Sequence, residues 1–532
     1  MIPGVSGRLI TATFAQALLE TLPGAAEPPE TVIRALDVWS ERRDTECGPA
    51  TPVRALTDAV VIPLLSILGL DTTARADGER RTVLHTTPPA GPLVPVVVTG
   101  WNDPLDRAWR DAVLDGARAD ARWCFCINGQ ALRVVDAQHT WSRAYLEFDL
   151  ALIAGTPRAR MLWWSVLRAE ALAASPPVLD RAVALSAQHG VATCRALGRG
   201  VVQALELLFE ALHRADRHDS PAVFQQSLTV LYRVLFLLFA EARGLVPVWH
   251  PVYRDRYSIE VIIGALLEGR RYKGIWQAIV AISRLAHAGC SIGELKVTPF
   301  NGRLFSPAQS TTFDRGRIGD EVMGRTIMAV GTNPRSSGLE RIAYRDLDVE
   351  QLGAVYEHLL DYQPASGAPA LDRTRDARKS TGTFYTPRAV TAYLVRATLE
   401  PLVRGHRSEE ILALRVLDLA MGSGAFLVGA CRYLASAVED ALIAEGRWHH
   451  GDVTAADRAS LRREIAQRCL FGADLNPMAV QLARLSLWLV TLASDKPLTF
   501  LDHHLVTGDS LVGASPEDLL RQPPGGRAPA RR

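Results

Sequence analysis

The chain has 532 residues, 48% apolar and 22% charged, with a formal net charge of only +2. At about 150 residues per domain, that length allows three or four folding units, and the composition excludes wholesale disorder and a collagen-like fibre. So balanced a charge argues against gripping polyanions through bulk charge, although a local basic face is compatible with it.

Residues 1–150 read as mixed α/β. Helical periodicity over Thr11–Leu22 and Val53–Leu70 gives way to β-type runs at Leu93–Thr99 and Trp123–Ile127. A helix at Leu105–Gly116 lies between those runs, and the turn Asn128-Gly129 leads into a further strand at Leu132–Val135. Seven Cys are scattered along the chain; an odd, dispersed set suits a reducing compartment better than a disulfide framework. Cys124 and Cys126 form a lone C-x-C with no second pair nearby, so two small apolar strand residues are the better reading than a zinc site. No basic start with a long apolar core opens the chain, and the most apolar run, Leu228–Ala240, is too short to span a bilayer and carries Arg233. The expectation is a cytoplasmic protein with no membrane partner.

Residues 151–345 are mostly helical, with amphipathic stretches at 159–174, 195–214 and 222–243. A third region, 346–520, opens with a helical pattern (DLDVEQLGAVYEHLLDYQ) and a Pro/Gly/Ala-rich connector at 363–378. Residues 521–532 (RQPPGGRAPARR) have no packing face and read as a disordered tail.

The chemistry concentrates in the third region. RVLDLAMGSGAFLV (415–428) is an apolar strand ending in Asp418, a Gly-Ser-Gly turn, and a helix start. Such a turn allows close approach of a ligand and aims helix N–H groups at negative charge, although alone it is equally a structural turn. LFGADL (470–475) is a second strand ending in an acid, Asp474, before a helix opened by Asn476-Pro477. At the end of a second strand an acid hydrogen-bonds ribose hydroxyls in doubly wound sheets; the alternative is an acid that only serves the helix N-terminus. LVTGDSLV (505–512) is a third short strand running into a turn with Asp509, and KSTGTFYTPRA (379–389) is a Gly- and Pro-punctuated helix entry.

Together these four segments, covering 379–513, resemble the cofactor half of N6-adenine DNA methyltransferases of the large type IIG restriction-modification, BREX and DISARM phage-defence kind. The resemblance implies S-adenosyl-L-methionine as cofactor. Thr383, Phe384, Tyr385, Thr386 and Pro387 would help hold its methionine end. Asp418, Ala420, Gly422, Ser423, Gly424 and Phe426 correspond to the turn that contacts the same part, with Leu419 standing where the family has Pro. Asp474 matches the ribose-binding acid, with Asn476 beside it, and Asp509 matches the acid that receives the adenine amino group. The segments 228–247, 300–305 and 346–360 look like the helical connector of the same enzymes; read alone they are core helices and a loop.

The N-terminal pattern resembles a PD-(D/E)-x-K nuclease domain, whose chemistry needs an Asp and a Glu-x-Lys around Mg²⁺. The strand expected to carry Glu-x-Lys reads PVVVTG (95–100), with neither acid nor Lys, so a degenerate domain without a metal site is expected. The family's Asn/Asp-Pro-Pro-Tyr/Phe cage, which grips the flipped target adenine, does not occur in the 532 residues.

The expected fold is α/β: an incomplete Rossmann-like methyltransferase sheet (346–520), preceded by a helical connector (151–345) and an α/β restriction-endonuclease-like N-terminal domain (1–150). The expected function is the N-terminal, cofactor-binding portion of a site-specific adenine-N6 DNA methyltransferase, inactive without the missing catalytic half. No catalytic residue and no metal ligand is assigned. Double-stranded DNA would be met through the complete enzyme; the chain would be truncated, split by a frameshift, or paired with a second polypeptide that carries the catalytic motif and target-recognition domain. The alternative is a non-catalytic S-adenosylmethionine-binding scaffold or regulatory subunit.

Overall fold

The computed structural model describes residues 2–510 except 90, 140–143, 216–219, 298, 300–303, 316–317, 336–337, 348–352, 354, 356–358, 360–361, 366–369, 374–385, 387, 449–452 and 492–498. The chain is mixed α/β and divides into two compact units, Met1–Ala192 and Thr193–Arg532.

The first unit is built on a seven-stranded sheet: β1 (Val5–Gly7), β2 (Asp71–Asp77), β3 (Arg81–Thr87), β4 (Val94–Thr99), β5 (Trp123–Ile127), β6 (Ala131–Asp136) and β7 (Tyr145–Asp149). Their spatial order is β1-β7-β6-β5-β4-β3-β2. Only β4 and β5 pair in parallel, joined by the crossover helix α1 (Leu105–Arg118). Those two strands are buried along their whole length, as parallel neighbours covered on both faces must be. Val97, Cys124, Cys126 and Val135 face Leu105, Ala108 and Ala112 of α1. Val96, Val98, Phe125, Ile127 and Val134 face the larger core on the other side. Cys124 and Cys126 are therefore packing residues, and burial pushes the Cys124 thiol up to about 12. Edge strand β2, DTTARAD, is exposed throughout; its charges suit an edge that must not recruit another strand.

Helix α2 (Val178–Ala215) runs across the boundary between the units. Within the second unit, α3 (Ser220–Ala242) carries the apolar run around Leu228–Ala240 and is buried almost all round. It is long and apolar enough to cross a membrane, yet its residues form the centre of this unit's core. Phe236 stacks on Trp488 (4.6 Å between centroids, 25°) and meets Phe305 edge-on at 5.4 Å. Three short antiparallel strand pairs, Cys290–Ile292 with Leu295–Val297, Thr332–Arg335 with Gly338–Arg341 and Tyr362–Pro364 with Leu371–Arg373, interrupt the helices.

The C-terminal part is a three-stranded parallel sheet. Strands β8 (Val416–Asp418), β9 (Leu470–Asp474) and β10 (Leu505–Thr507) lie in the order β8-β9-β10. Helices α4 (Arg388–Val403), α5 (Ala425–Ala444), α6 (Ala455–Arg468) and α7 (Pro477–Thr491) accompany it. Leu470, Gly472 and Leu505 point to the covered face and are buried. Leu417 and Val506, in register with the opposite positions Phe471 and Ala473, are 60% and 45% exposed.

Candidate functional site

The site forms where the three parallel strands end. Each of β8, β9 and β10 is short, and each runs out into a turn carrying a carboxylate at its C-terminal edge. That edge is where open α/β sheets bind ligands.

The turn after β8 needs its glycines. Gly422 has φ +53° and Gly424 φ +84°, the left-handed region where a Cβ is strained. A Cβ on Gly424 would lie 3.1 Å from both Cα and Cβ of Ala483 in α7, whereas one on Gly422 would meet no atom within 4 Å. The first glycine therefore faces open space, and the second lets the turn pack onto a neighbouring helix. Gly424 is also the N-cap of α5, whose first amides have no carbonyl within their own helix to bond.

Asp474, buried at the end of β9, braces this turn. Its Oδ2 accepts from the Gly422 amide at 2.8 Å and its Oδ1 from the Asn476 amide at 2.8 Å. Asn476 Oδ1 in turn accepts from the Met478 amide at 2.9 Å and so caps α7. The helix-terminus and ligand readings of Asp474 are thus compatible: each carboxylate oxygen keeps a second lone pair beyond the backbone bond it accepts.

The segment after β10 closes onto the same place. The Gly508 amide donates to the Asp474 carbonyl at 3.0 Å, and the Ser510 hydroxyl donates to the Leu419 carbonyl at 2.7 Å. Asp509 sits between these two anchors and is exposed. Asp418 accepts from the Ala420 amide at 3.1 Å through Oδ1, while its Oδ2 is buried and makes no hydrogen bond among the described residues. Burial raises the Asp418 carboxyl above its usual range, the Ala420 amide pulls it back, and the charge of Asp474 raises it further.

Asp418, Ala420, Gly422, Ser423, Gly424, Asp474, Asn476 and Asp509 thus converge on one edge of the sheet. Phe426, in the first turn of α5, is half-buried and packs against the core. Thr386 is half-buried just ahead of α4; Thr383, Phe384, Tyr385 and Pro387 lie outside the described residues. Two further residues adjoin the site. A Cβ on Gly353 would come 3.1 Å from Ser423 Oγ, so the 346–360 segment reaches the glycine turn. Arg484, in a mostly apolar buried row of α7, bonds the residues leading into β10. An isolated Gly inside an apolar helical pattern was the one hint for Gly353.

A buried carboxylate oxygen without a donor, a glycine facing open space and free helix amides fit a ligand with hydroxyl, amino and carboxylate groups. An S-adenosyl nucleoside has all three. Among the described residues no group of three or more His, Cys, Asp or Glu could hold a metal ion.

Residues 347–510 match the N-6 DNA methylase family, so the resemblance read from the four segments holds for that region. A Methanocaldococcus jannaschii protein named for type II restriction and methyltransferase functions, RM.MjaORFECS2P, is 24% identical over 349 residues, covering 55% of this chain and 28% of its own length. The adenine-specific methyltransferase PglX of Streptomyces coelicolor is 30% identical over 149 residues, covering 26% of this chain and 11% of its own. The chain therefore spans under a third of the length of these curated relatives. Among solved structures, the type IIL restriction-modification enzyme MmeI in complex with DNA overlays with a TM-score of 0.34 at 14% identity, covering 60% of this chain and 40% of that one, too slight a likeness to build on.

Proposed function

We propose that the chain binds S-adenosyl-L-methionine at the C-terminal edge of β8, β9 and β10, as the cofactor portion of an adenine-N6 DNA methyltransferase of a restriction-modification or phage-defence system. The observation that carries this is the knitting of three strand ends into one site: Gly422 to Asp474, Gly508 to Asp474, and Ser510 to Leu419. We retain the division into 1–150, 151–345, 346–520 and 521–532 as part of the same reading.

When bound, the cofactor supplies an electrophilic methyl group on a sulfonium. The chain's own residues then have defined tasks. Thr383, Phe384, Tyr385, Thr386 and Pro387, with the turn from Asp418 to Phe426, hold the amino-acid end. Asp474 accepts from the ribose hydroxyls through its remaining lone pairs, and Asp509 accepts from the base amino group. Nothing among the 532 residues matches the Asn/Asp-Pro-Pro-Tyr/Phe cage for a flipped adenine. We therefore assign the acceptor grip, and recognition of double-stranded DNA, to residues other than these 532. The exposed Leu417, Leu419 and Val506 on and beside the sheet support a covering partner there. For the N-terminal unit we propose a scaffold or DNA contact without nuclease chemistry, since β4 holds no acid or Lys.

Calorimetric titration of the full chain with S-adenosyl-L-homocysteine tests the pocket. Saturable binding that Asp474→Ala and Gly422→Asp both abolish is expected, and equal affinity in all three proteins would remove the assignment. Formation of N6-methyladenine in DNA by the purified chain alone would overturn the division of labour. If a pocket that binds cofactor gains no methyl transfer with any product of the neighbouring genes, the scaffold reading replaces it.

A further inference from the structure

Helix α7 buries Leu482, Ala483, Leu485, Leu487, Trp488, Leu489 and Val490, and in the middle of that row stands Arg484, only 6% exposed. A guanidinium in such surroundings is costly unless its donors are met, and a Leu or Met of similar reach would pack there without that cost. Its presence needs a reason beyond packing.

The partners supply one. Arg484 Nη2 donates to the Leu505 carbonyl at 2.6 Å and, more weakly, to the Asp502 carbonyl at 3.4 Å, while Nη1 lies 2.9 Å from the Asp502 carboxylate. All three contacts fall on the short stretch that enters β10. The other end of that stretch is fixed by Gly508 on the Asp474 carbonyl and Ser510 on the Leu419 carbonyl. Asp509 lies between, two residues past a strand of only three residues, Leu505–Thr507. So short a strand has few ladder bonds of its own to hold its position along the sheet. The planar fork of Arg, reaching two carbonyls and a carboxylate at once, does what a Lys point charge cannot.

We propose that Arg484 is a positioning residue for the base end of the cofactor pocket: by clamping the entry to β10 it sets where Asp509 meets the amino group of the adenine. The proposal rests on the cofactor reading above. Arg484 does not itself touch the ligand, so its effect must depend on which part of the ligand is present.

The test compares two probes on the full chain by calorimetry: S-adenosyl-L-homocysteine, and the analogue with hydrogen in place of the 6-amino group. The wild-type chain is expected to prefer the amino compound by about tenfold, the value of one hydrogen bond to a charged group. Arg484→Met should reduce that preference to less than about twofold while leaving affinity for the deamino analogue within about threefold. Arg484→Lys should fail to restore the preference. Equal weakening of both ligands would mean a merely structural role and would overturn the proposal, as would an unchanged preference. Should Arg484→Met not fold, Asp502→Asn, at a partly exposed site, decides by the same criterion, with a smaller loss of preference expected. A wild-type chain that binds neither probe would instead sink the cofactor reading itself, an outcome distinct from a preference that Arg484 does not affect.

Discussion

The Gly422 amide donates to Asp474 Oδ2 at 2.8 Å across 52 positions of sequence. One buried carboxylate thereby fixes the turn after β8 to the helix start after β9, since its other oxygen holds the Asn476 amide. Any ligand resting on that turn inherits its rigidity from Asp474.

Asp474→Ala should therefore weaken both folding and binding. Hydrogen bonds to a charged group are worth about 1.5–3 kcal/mol each, and the two amides left behind lose their acceptor. We expect the C-terminal unit to lose roughly 2–4 kcal/mol in urea unfolding, and S-adenosyl-L-homocysteine affinity to fall at least about tenfold. Asp474→Asn, which keeps one acceptor oxygen, should lie between the two proteins in both measurements. A variant with wild-type stability would show that the brace is dispensable.

The two glycines of the turn should separate folding from binding. At Gly424 a Cβ is both strained and crowded by Ala483, so Gly424→Ala should cost roughly 2–4 kcal/mol from the left-handed backbone and overpacking together. At Gly422 the backbone is left-handed but the space is open, and Asn tolerates that conformation. Gly422→Asn should change thermal stability by less than about 1 kcal/mol yet lower cofactor affinity, because its side chain occupies the open side of the turn. Equal binding by wild type and Gly422→Asn would place the ligand elsewhere.

Strand-turn-helix chemistry made this region readable in the sequence. Asp418, Gly422, Gly424, Asp474 and Asp509 each stand where an apolar β-type run stops, and the three runs become β8, β9 and β10. The buried character of Leu228–Ala240 was equally legible, because an apolar run without a polar face has nowhere to go but a core. Other features depend on partners that periodicity does not carry. Strand β2 has no apolar alternation and is defined by its pairing with β3. The hairpins at 290–297 and 332–341 have strands of three or four residues, too short for a period. Arg484 is marked only by its contacts with Leu505 and Asp502, which lie far from it in sequence order. The 346–363 helix and the Gly382–Tyr385 segment fall largely outside the described residues, as does the tail at 521–532.

Arg233 should prove the least replaceable side chain of the helical core. It is fully buried in α3 and donates to the Leu304 and Ser306 carbonyls at 2.9 Å each, with the Asp314 carboxylate 3.7 Å away. Those contacts pin the residues beside Phe305, whose ring meets Phe236. Arg233→Met keeps most of the volume but leaves the Leu304 and Ser306 carbonyls without their donor and weakens the positive field at Asp314, which together should cost about 3 kcal/mol. Hydrogen exchange should show faster opening around 304–315 in the variant. Protection equal to wild type would mean that the Phe236 and Phe305 packing suffices.

Glu241 gives the second unit a pH dependence opposite to that of carboxylates that gain an ion pair on folding. It is almost fully buried at the end of α3, where it accepts from the Ser258 hydroxyl (2.8 Å) and from the amides of Ile259 (2.9 Å) and Glu260 (3.0 Å). It thus caps the helix Ile259–Leu267. No cation is among these partners. Burial raises its carboxyl from 4.5 to about 7; the amides of Glu260 and Ile259 and the Ser258 hydroxyl pull it down, and the charge of Glu260 pushes it up. Burial likewise raises the neighbouring Tyr253 phenol, with Glu241 adding to it. Because the folded carboxyl holds its proton to higher pH than the unfolded one, the folded state binds more protons between these values. Stability therefore falls as pH rises from about 4.5 to about 7, by roughly 3 kcal/mol from this group. The melting temperature of the second unit should drop between about pH 5 and about pH 8 in the wild type and change much less in Glu241→Gln, which has no proton to lose. Parallel pH profiles for the two proteins would assign the dependence to other groups.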